Sequence, residues 1–223
     1  MLASLRVLIV EDSPDDAELM ALHLEKEGFR LEWQRVQEEQ DFLAALETPP
    51  DVILADWSLP QYSGLRALRQ MRERGLDIPF LIVSGSVGEE AAIEAMRQGA
   101  SDYVLKDRPA RLGQAVRRAI EDRQARDDRR RAEEALRVSE ARYREFIDAA
   151  TDLIFIKDAD FRYVVVNKAN QENFGKAEAD VLGKTDFDLM PEAQARQCQA
   201  SDRQALETRS VALSIEEAGG RTY

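Results

Sequence analysis

Residues 5–16, LRVLIVEDSPDD, contain the pattern that decides the fold of this chain. The first six are almost wholly apolar, as expected for a β-strand that is covered on both faces. Glu11 and Asp12 follow at once, and Pro14 then opens a helix with acidic residues in its first turn, where they suit the helix dipole. The stretch therefore predicts a buried strand that leads through an acidic loop into a helix.

The same alternation continues over the first hundred residues. Five apolar strands are predicted, at residues 5–10, 29–36, 51–55, 80–83 and 102–105. The helices predicted between them cover residues 14–27, 38–47, 64–74 and 89–98. Because strands that alternate with helices form a parallel sheet with helices on both faces, the sequence predicts an α/β fold.

The length, charge and apolar content of the chain exclude several classes of protein. The 223 residues amount to about one and a half domains of typical size. Lysine and arginine number 31 against 43 aspartates and glutamates, a formal net charge of -12, which argues against nucleic-acid or anionic-membrane partners. No apolar run approaches the roughly 18 to 20 residues of a membrane span, and the acidic start does not resemble a signal peptide. We therefore expect a cytoplasmic protein.

The single histidine and the single cysteine exclude further kinds of site. With His23 alone the sequence offers no Ser-His-Asp triad and no pair of histidine metal ligands. Cys198 can form neither an internal disulfide nor a cysteine-based zinc site. We expect both residues to be ordinary, partly exposed members of helices.

Polar residues follow four of the five predicted strands. Glu11 and Asp12 follow the first strand, Asp56 the third, Ser84 the fourth and Lys106 the fifth. Since the carboxyl ends of parallel strands meet at one edge of a sheet, these side chains should lie together. Clustered carboxylates repel one another unless a cation and an ammonium offset their charge, and oxygen ligands without histidine or cysteine favour Mg²⁺.

Such a pocket suits phosphoryl transfer onto a carboxylate. Asp56 could attack phosphorus and become an aspartyl phosphate, with Mg²⁺ and Lys106 stabilising the equatorial oxygens and Ser84 donating to the phosphoryl group. A nucleotide site would need a glycine-rich loop, whereas the loop here, EDSPDD, would repel phosphate. Singly, each residue also fits a helix cap, a turn or a surface charge, so the prediction depends on their joint placement.

Residues 1–122 resemble the receiver domain of two-component response regulators. The segments LIVEDSPDD, ILADWSLPQYSG, LIVSGS and GASDYVLK carry this resemblance. It implies a flavodoxin-like (βα)5 doubly wound sheet, and it implies phosphorylation of Asp56 by a histidine kinase or phosphotransfer protein. By the same resemblance Asp12 and Asp56 bind Mg²⁺ directly, Glu11 acts through water, and Ser58 supplies its backbone carbonyl.

The resemblance also implies a switch. Ser84 and Lys106 would contact the phosphoryl group, and Tyr103 would be the aromatic residue that turns inward when Ser84 moves; alternatively, Tyr103 is an ordinary residue of an amphipathic strand. Asp107 departs from the family, which usually has a cis proline after the lysine. A cis bond before Asp107 would cost about 3 kcal/mol, so we expect this loop to take another path.

A long helix is predicted at residues 110–147, overlapping the last receiver helix. Small or apolar residues recur at steps of three and four, at Ala132, Leu136, Ser139, Tyr143, Phe146 and Ala150. Such spacing fits either a solvated helix or a coiled-coil linker through which two chains dimerise. We favour a homodimer, because a long polar helix without a partner is only marginally stable.

Residues 148–223 resemble a PAS domain that lacks its last two strands. The motifs, less specific than those of the receiver, are residues 139–175 and GKTDFDLMP at 183–191. Strands at 153–158, 161–167 and 210–217, helices at 168–174 and 191–208, and a turn at 219–220 are predicted. We therefore expect a longer protein, such as a hybrid sensor histidine kinase or one with a cyclic-dinucleotide enzyme as output.

Three hypotheses about function remain open at this point. The first is phosphorelay signalling, with no separate enzyme activity in these residues beyond Mg²⁺-dependent self-phosphorylation and dephosphorylation. The second is a dimerising scaffold that does not depend on phosphorylation, and the third is a PAS sensor of a small molecule. The PAS ligand is unknown: residues 148–223 contain no histidine for haem, and Cys198 does not lie in a flavin-adduct motif. A DNA-binding regulator is disfavoured, because no helix-turn-helix pattern follows the receiver.

Overall fold

A computed structural model describes residues 4–60, 62–85, 89–208, 217–218 and 221–222. The chain divides into two compact units, Met1–Arg131 and Ala132–Tyr223. No described helix is both long enough and apolar enough to cross a bilayer.

Five parallel strands form the sheet of the first unit. They are β1 Leu5–Val10, β2 Leu31–Val36, β3 Val52–Asp56, β4 Phe80–Ser84 and β5 Asp102–Leu105. Their order is β2-β1-β3-β4-β5, so the direction of winding reverses between β1 and β3. The carboxyl ends of these two neighbouring strands therefore flank the crevice where doubly wound sheets bind their ligands. The predicted α/β fold is confirmed.

Helices cover both faces of this sheet. They are α1 Pro14–Lys26, α2 Glu39–Ala45, α3 Gly64–Glu73, α4 Glu89–Arg97 and the first part of α5 Ala110–Asp148. Alternate strand residues enter two separate cores: Val10 and Ile82 pack with Phe42 and Leu68 on one face, while Ile9 packs on the other. β3 and β4, and β1 beyond Arg6, are buried on both faces, so their sequences are apolar throughout rather than alternating, whereas the edge strand β2 is largely exposed.

α5 is a single helix of 39 residues, longer by one residue than the predicted linker. Its first part is buried as far as Ala119, the side chains of residues 128–146 are all exposed, and Ile147 is the next buried residue. Of the predicted heptad-like positions, only Ala150, beyond the helix, is half-buried. This part of the helix therefore buries no side chain, although Arg144 near its end donates to the Val166 oxygen at 3.3 Å and pairs with Glu178 at 2.7 Å.

The second unit includes the last part of α5 and continues with an antiparallel pair of strands. These are β6 Phe155–Lys157 and β7 Tyr163–Val166, followed by α6 Lys168–Phe174 as predicted. Two four-residue helices follow, α7 Glu178–Val181 and α8 Asp186–Leu189, which the sequence patterns did not predict. The long helix is α9 Glu192–Thr208.

Two further short strands, β8 Glu217–Ala218 and β9 Arg221–Thr222, pair antiparallel. Residues 210–216 of the predicted strand and the predicted turn at 219–220 lie outside the described residues.

Candidate functional site

The carboxyl ends of β1 and β3 hold the candidate site. Glu11 directly follows β1 and is 1% exposed, while Asp56 is the last residue of β3 and is 9% exposed. One carboxylate oxygen from each of Glu11, Asp12 and Asp56 lies within 4.8 Å of the other two. An all-oxygen group of this kind suits a hard divalent cation. The sequence placed Asp56 just after its strand, and β3 in fact runs one residue further.

Lys106 brings an ammonium into this carboxylate group. Its Nζ donates to Glu11 Oε2 at 2.8 Å, to Asp56 Oδ2 at 2.9 Å and to Asp16 Oδ2 at 2.5 Å. Burial acts to lower the pKa of Lys106, but hydrogen bonds to the three carboxylates outweigh it and hold that pKa above its usual value. The ammonium therefore remains charged at neutral pH and offsets part of the negative charge.

Burial has the opposite consequence for Glu11. It raises the pKa of the Glu11 carboxyl above its ordinary value, although the hydrogen bond from Lys106 acts to lower it. The backbone N–H of Ser13 also donates to Glu11 Oε1 at 3.2 Å. Asp56 is held similarly, because the backbone N–H of Ser58 donates to its Oδ1 at 3.2 Å. Both buried carboxylates are thus oriented by the loops that follow their strands.

Three residues near the pocket were not predicted from the sequence. Asp16 reaches it from the first turn of α1. Arg35, on β2, donates from one guanidinium nitrogen to the backbone oxygens of Glu11 at 2.9 Å and Asp12 at 3.3 Å. Gly64, the first residue of α3, lies so close to the Asp56 backbone oxygen that an added Cβ would clash with it.

Ser84 and Tyr103 lie beside the pocket on β4 and β5. Ser84 is the last residue of β4 and is 3% exposed. The Tyr103 hydroxyl is buried and makes no hydrogen bond of normal geometry with any described residue. Burial raises the pKa of this phenol, the nearby Ser84 hydroxyl acts to lower it, and the charge of Asp56 acts to raise it. The serine and the tyrosine are therefore close enough to influence each other.

The loop after Lys106 has only trans peptide bonds, as does the rest of the described chain. His23 is half-buried on α1, and Cys198 is half-buried on α9, as expected.

A second polar group lies in the second unit. Lys157, whose side chain is 7% exposed, donates to both Asp186 oxygens at 2.8 and 2.7 Å and to Asp202 Oδ2 at 2.6 Å. Tyr163 also donates to Asp186, at 2.7 Å. Burial acts to lower the pKa of Lys157, but these carboxylates hold it above its ordinary value. The group borders a cavity of about 250 Å³ that Cys198 also lines.

Comparison with known proteins agrees with this architecture. Residues 7–117 match the response regulator receiver domain, and residues 147–221 match the PAS fold. The phosphate regulon transcriptional regulatory protein PhoB of Pseudomonas aeruginosa is 34% identical over 103 residues, which are 45% of this chain and 44% of that protein. The cell cycle transcriptional regulator CtrA of Caulobacter vibrioides is 33% identical over 120 residues, 52% of each chain. The matches thus span about half the length of these relatives.

Solved structures show the same fold for the first unit. NtrX from Brucella abortus is 28% identical with a TM-score of 0.51, over 56% of this chain and 29% of that one. The receiver domain of a LuxO repressor protein from Vibrio parahaemolyticus has a TM-score of 0.51 at 24% identity, over 56% of this chain and 96% of that one. Residues 7–117 therefore form a receiver domain of the response regulator family, and the region that follows matches the PAS fold.

Proposed function

We propose that this chain is a signalling module of a two-component phosphorelay in which Asp56 accepts a phosphoryl group from a histidine kinase or a phosphotransfer protein. The observation that carries the proposal is the pocket at the carboxyl ends of β1 and β3, where Glu11, Asp12 and Asp56 meet Lys106. Receiver domains accept phosphate from histidine kinases, and this pocket holds the groups that such a transfer needs.

In the proposed reaction, a carboxylate oxygen of Asp56 attacks the phosphorus of a phosphohistidine. The new O–P bond forms as the P–N bond breaks, and the electron pair of the P–N bond returns to the imidazole nitrogen of the donor. Asp12 and Asp56 would hold Mg²⁺ directly, Glu11 through water and Ser58 through its carbonyl. The bound cation would neutralise charge on the phosphoryl oxygens. Lys106, already in contact with Asp56, would donate to one of these oxygens.

We also propose that Ser84 and Tyr103 transmit a conformational change when Asp56 is phosphorylated. Once phosphorylated, Asp56 presents a phosphoryl oxygen to which the Ser84 hydroxyl donates. Movement of Ser84 alters the space beside the buried Tyr103 hydroxyl, which makes no hydrogen bond of normal geometry within the described residues. The position of this aromatic side chain then reports the state of Asp56.

A gel that retards phosphoproteins tests the assignment. After incubation with acetyl phosphate and Mg²⁺, the wild-type chain and the control Asp41→Asn, which changes an exposed aspartate of α2, should both shift. Asp56→Asn should not shift. An equal shift of Asp56→Asn and wild type would show that another residue accepts the phosphoryl group.

We propose further that α5 pairs with a second copy of this chain. Leu136, Tyr143 and Phe146 are 60%, 49% and 76% exposed, and their spacing of seven and three residues fits a coiled-coil seam. Analytical ultracentrifugation should find a dimer for wild type and for Val138→Glu, whose position lies off this seam. Leu136→Glu with Phe146→Glu should yield monomers. A monomeric wild type, or a double variant that still dimerises, would contradict the proposal.

The cavity beside Lys157 supports a second candidate function, sensing of a small molecule by the PAS fold. Its volume of about 250 Å³ and its mixture of aromatic, amide and charged lining suit a small organic ligand. Native mass spectrometry of the purified chain should then detect a noncovalently bound compound. Its loss in a variant that fills the cavity, such as Cys198→Trp, would support this function, and a mass equal to that of the bare chain would count against it.

A further inference from the structure

Of the three carboxylates that contact the Lys106 ammonium, that of Asp16 lies at the shortest distance. Its Oδ2 lies 2.5 Å from Lys106 Nζ, against 2.8 Å for Glu11 and 2.9 Å for Asp56. An ammonium has three N–H groups, so all three are engaged by these carboxylates. A phosphoryl oxygen on Asp56 would therefore have to compete for a donor that Asp16 already holds.

The backbone of α1 fixes Asp16 in place. Its backbone N–H donates to the hydroxyl oxygen of the N-cap residue Ser13 at 3.2 Å, and Asp16 therefore lies in the first turn of the helix. The Asp16 side chain is 42% exposed, whereas that of Asp56 is 13% exposed. Asp16 is thus the more exposed of these two carboxylates that hold the ammonium.

The usual reason for an acidic residue in the first turn of a helix does not explain this contact. Such residues interact favourably with the helix dipole wherever their side chains point. Asp15 fills that role, since it also lies in the first turn of α1 and is exposed. Asp16 is distinguished from Asp15 by its contact with Lys106. The pair therefore offers a matched comparison: the same residue type and the same turn, with and without that contact.

We propose that Asp16 is a positioning residue for phosphoryl transfer, sharing the Lys106 ammonium with Asp56 and restraining its movement toward the phosphoryl group. This inference rests on the proposed function of Asp56. By holding Lys106, Asp16 weakens the charge stabilisation available to the incoming phosphoryl oxygens. It thereby slows the modification of Asp56 and makes the pocket less responsive to small phosphodonors.

The test compares rates of phosphorylation of the full chain by acetyl phosphate with Mg²⁺. Asp16→Asn should be phosphorylated about 5- to 20-fold faster than wild type, because Lys106 then turns fully to the transfer site. Asp16→Glu, which restores the carboxylate, should return toward the wild-type rate. The control Asp15→Asn should react as wild type does. Equal rates for Asp16→Asn and wild type, with Asp56 still modified, would overturn the positioning role alone.

A double-variant comparison separates action through Lys106 from a direct effect of charge. In a Lys106→Met background, Asp16→Asn should change the rate less than twofold, because the shared ammonium is gone. The same acceleration as in the wild-type background would overturn the proposal, since the effect would then be simple repulsion of the donor. A failure of the proposed function itself would give a different result, because acetyl phosphate would then phosphorylate wild type and Asp56→Asn equally.

Discussion

Within the second unit, Asn167 ties the end of α5 to the segment before β6 and to α6, and its replacement should loosen that junction. The side chain is fully buried, at 0% exposure. Its Nδ2 donates to the backbone oxygens of Ile147 at 3.0 Å and Asp152 at 2.9 Å. Its Oδ1 accepts from the backbone N–H groups of Ile154 and Asn170, each at 3.1 Å. One side-chain amide therefore bonds two backbone donors and, with a longer contact of 3.5 Å to the Ala150 oxygen, three backbone acceptors.

Asn167→Ala would leave these backbone groups without their partner. A buried polar group that loses its partner costs about 1–3 kcal/mol, and relaxation allows water to reach some of them. We therefore expect the junction to lose about 3–5 kcal/mol of local stability. Since each 1.4 kcal/mol is a factor of about ten, the amides of Ile154 and Asn170 should exchange at least about 100-fold faster.

Hydrogen–deuterium exchange of the full chain, read by mass spectrometry, measures this. Peptides that contain residues 154 and 170 should lose protection in Asn167→Ala, while peptides from β1 in the receiver should be unchanged. Asn173→Ala, at an exposed position of the same helix α6, is the control and should exchange like wild type. Wild-type protection in Asn167→Ala, or an equal loss in β1, would refute the reasoning.

Three further predictions concern the receiver pocket. Arg35→Met should weaken Mg²⁺ binding about 10-fold by calorimetry, because the guanidinium orients the Glu11 and Asp12 backbone; unchanged affinity would count against this role. Gly64→Ala should lower the free energy of unfolding of the receiver by about 1–3 kcal/mol, since its Cβ meets the Asp56 oxygen. Tryptophan fluorescence in urea measures this unit alone, as both tryptophans lie in it, and an unchanged midpoint would disprove the clash. Burial raises the pKa of Glu11, so its charge disfavours folding at neutral pH, a cost relieved as pH falls through that pKa. Without metal, Glu11→Gln should therefore have a higher urea midpoint than wild type at pH 7, and the difference should shrink at lower pH. A lower midpoint than wild type at pH 7 would show that the Glu11 charge stabilises the fold.

Strand positions in the receiver were predictable because burial on both faces makes a continuous apolar run. β1 and β5 have the predicted bounds, and β3 and β4 extend one residue further, through Asp56 and Ser84. β2 begins at Leu31 rather than Phe29. The backbone N–H of Phe29 is instead bonded to the Leu24 oxygen, in the turn that ends α1, and apolar character does not distinguish that use from a strand.

Short elements and long side chains escaped prediction for a different reason. α7 and α8 have four residues each, fewer than a helical period needs to show itself. Thr185 and Asp188 do form a capping box at α8, a local signal that could have located it. Asp16 and Arg35 reach the pocket through side-chain conformations, which spacing along the chain does not encode. Site residues were predicted from their position directly after a strand, whereas Asp16 lies on a helix and Arg35 lies within a strand.

The exposed stretch of α5 has a consequence for how such proteins are assembled. Its helicity is supported locally by pairs of arginine with a carboxylate one turn away, as in Arg131–Asp128 and Arg137–Glu134. Neither hydrophobic core depends on residues 128–146, whose side chains are all exposed. A gene can therefore gain or lose turns between residues 128 and 143, or be joined to another gene there, without removing a buried side chain from either unit. In evolutionary terms, recombination within this segment can join the receiver to a different following domain.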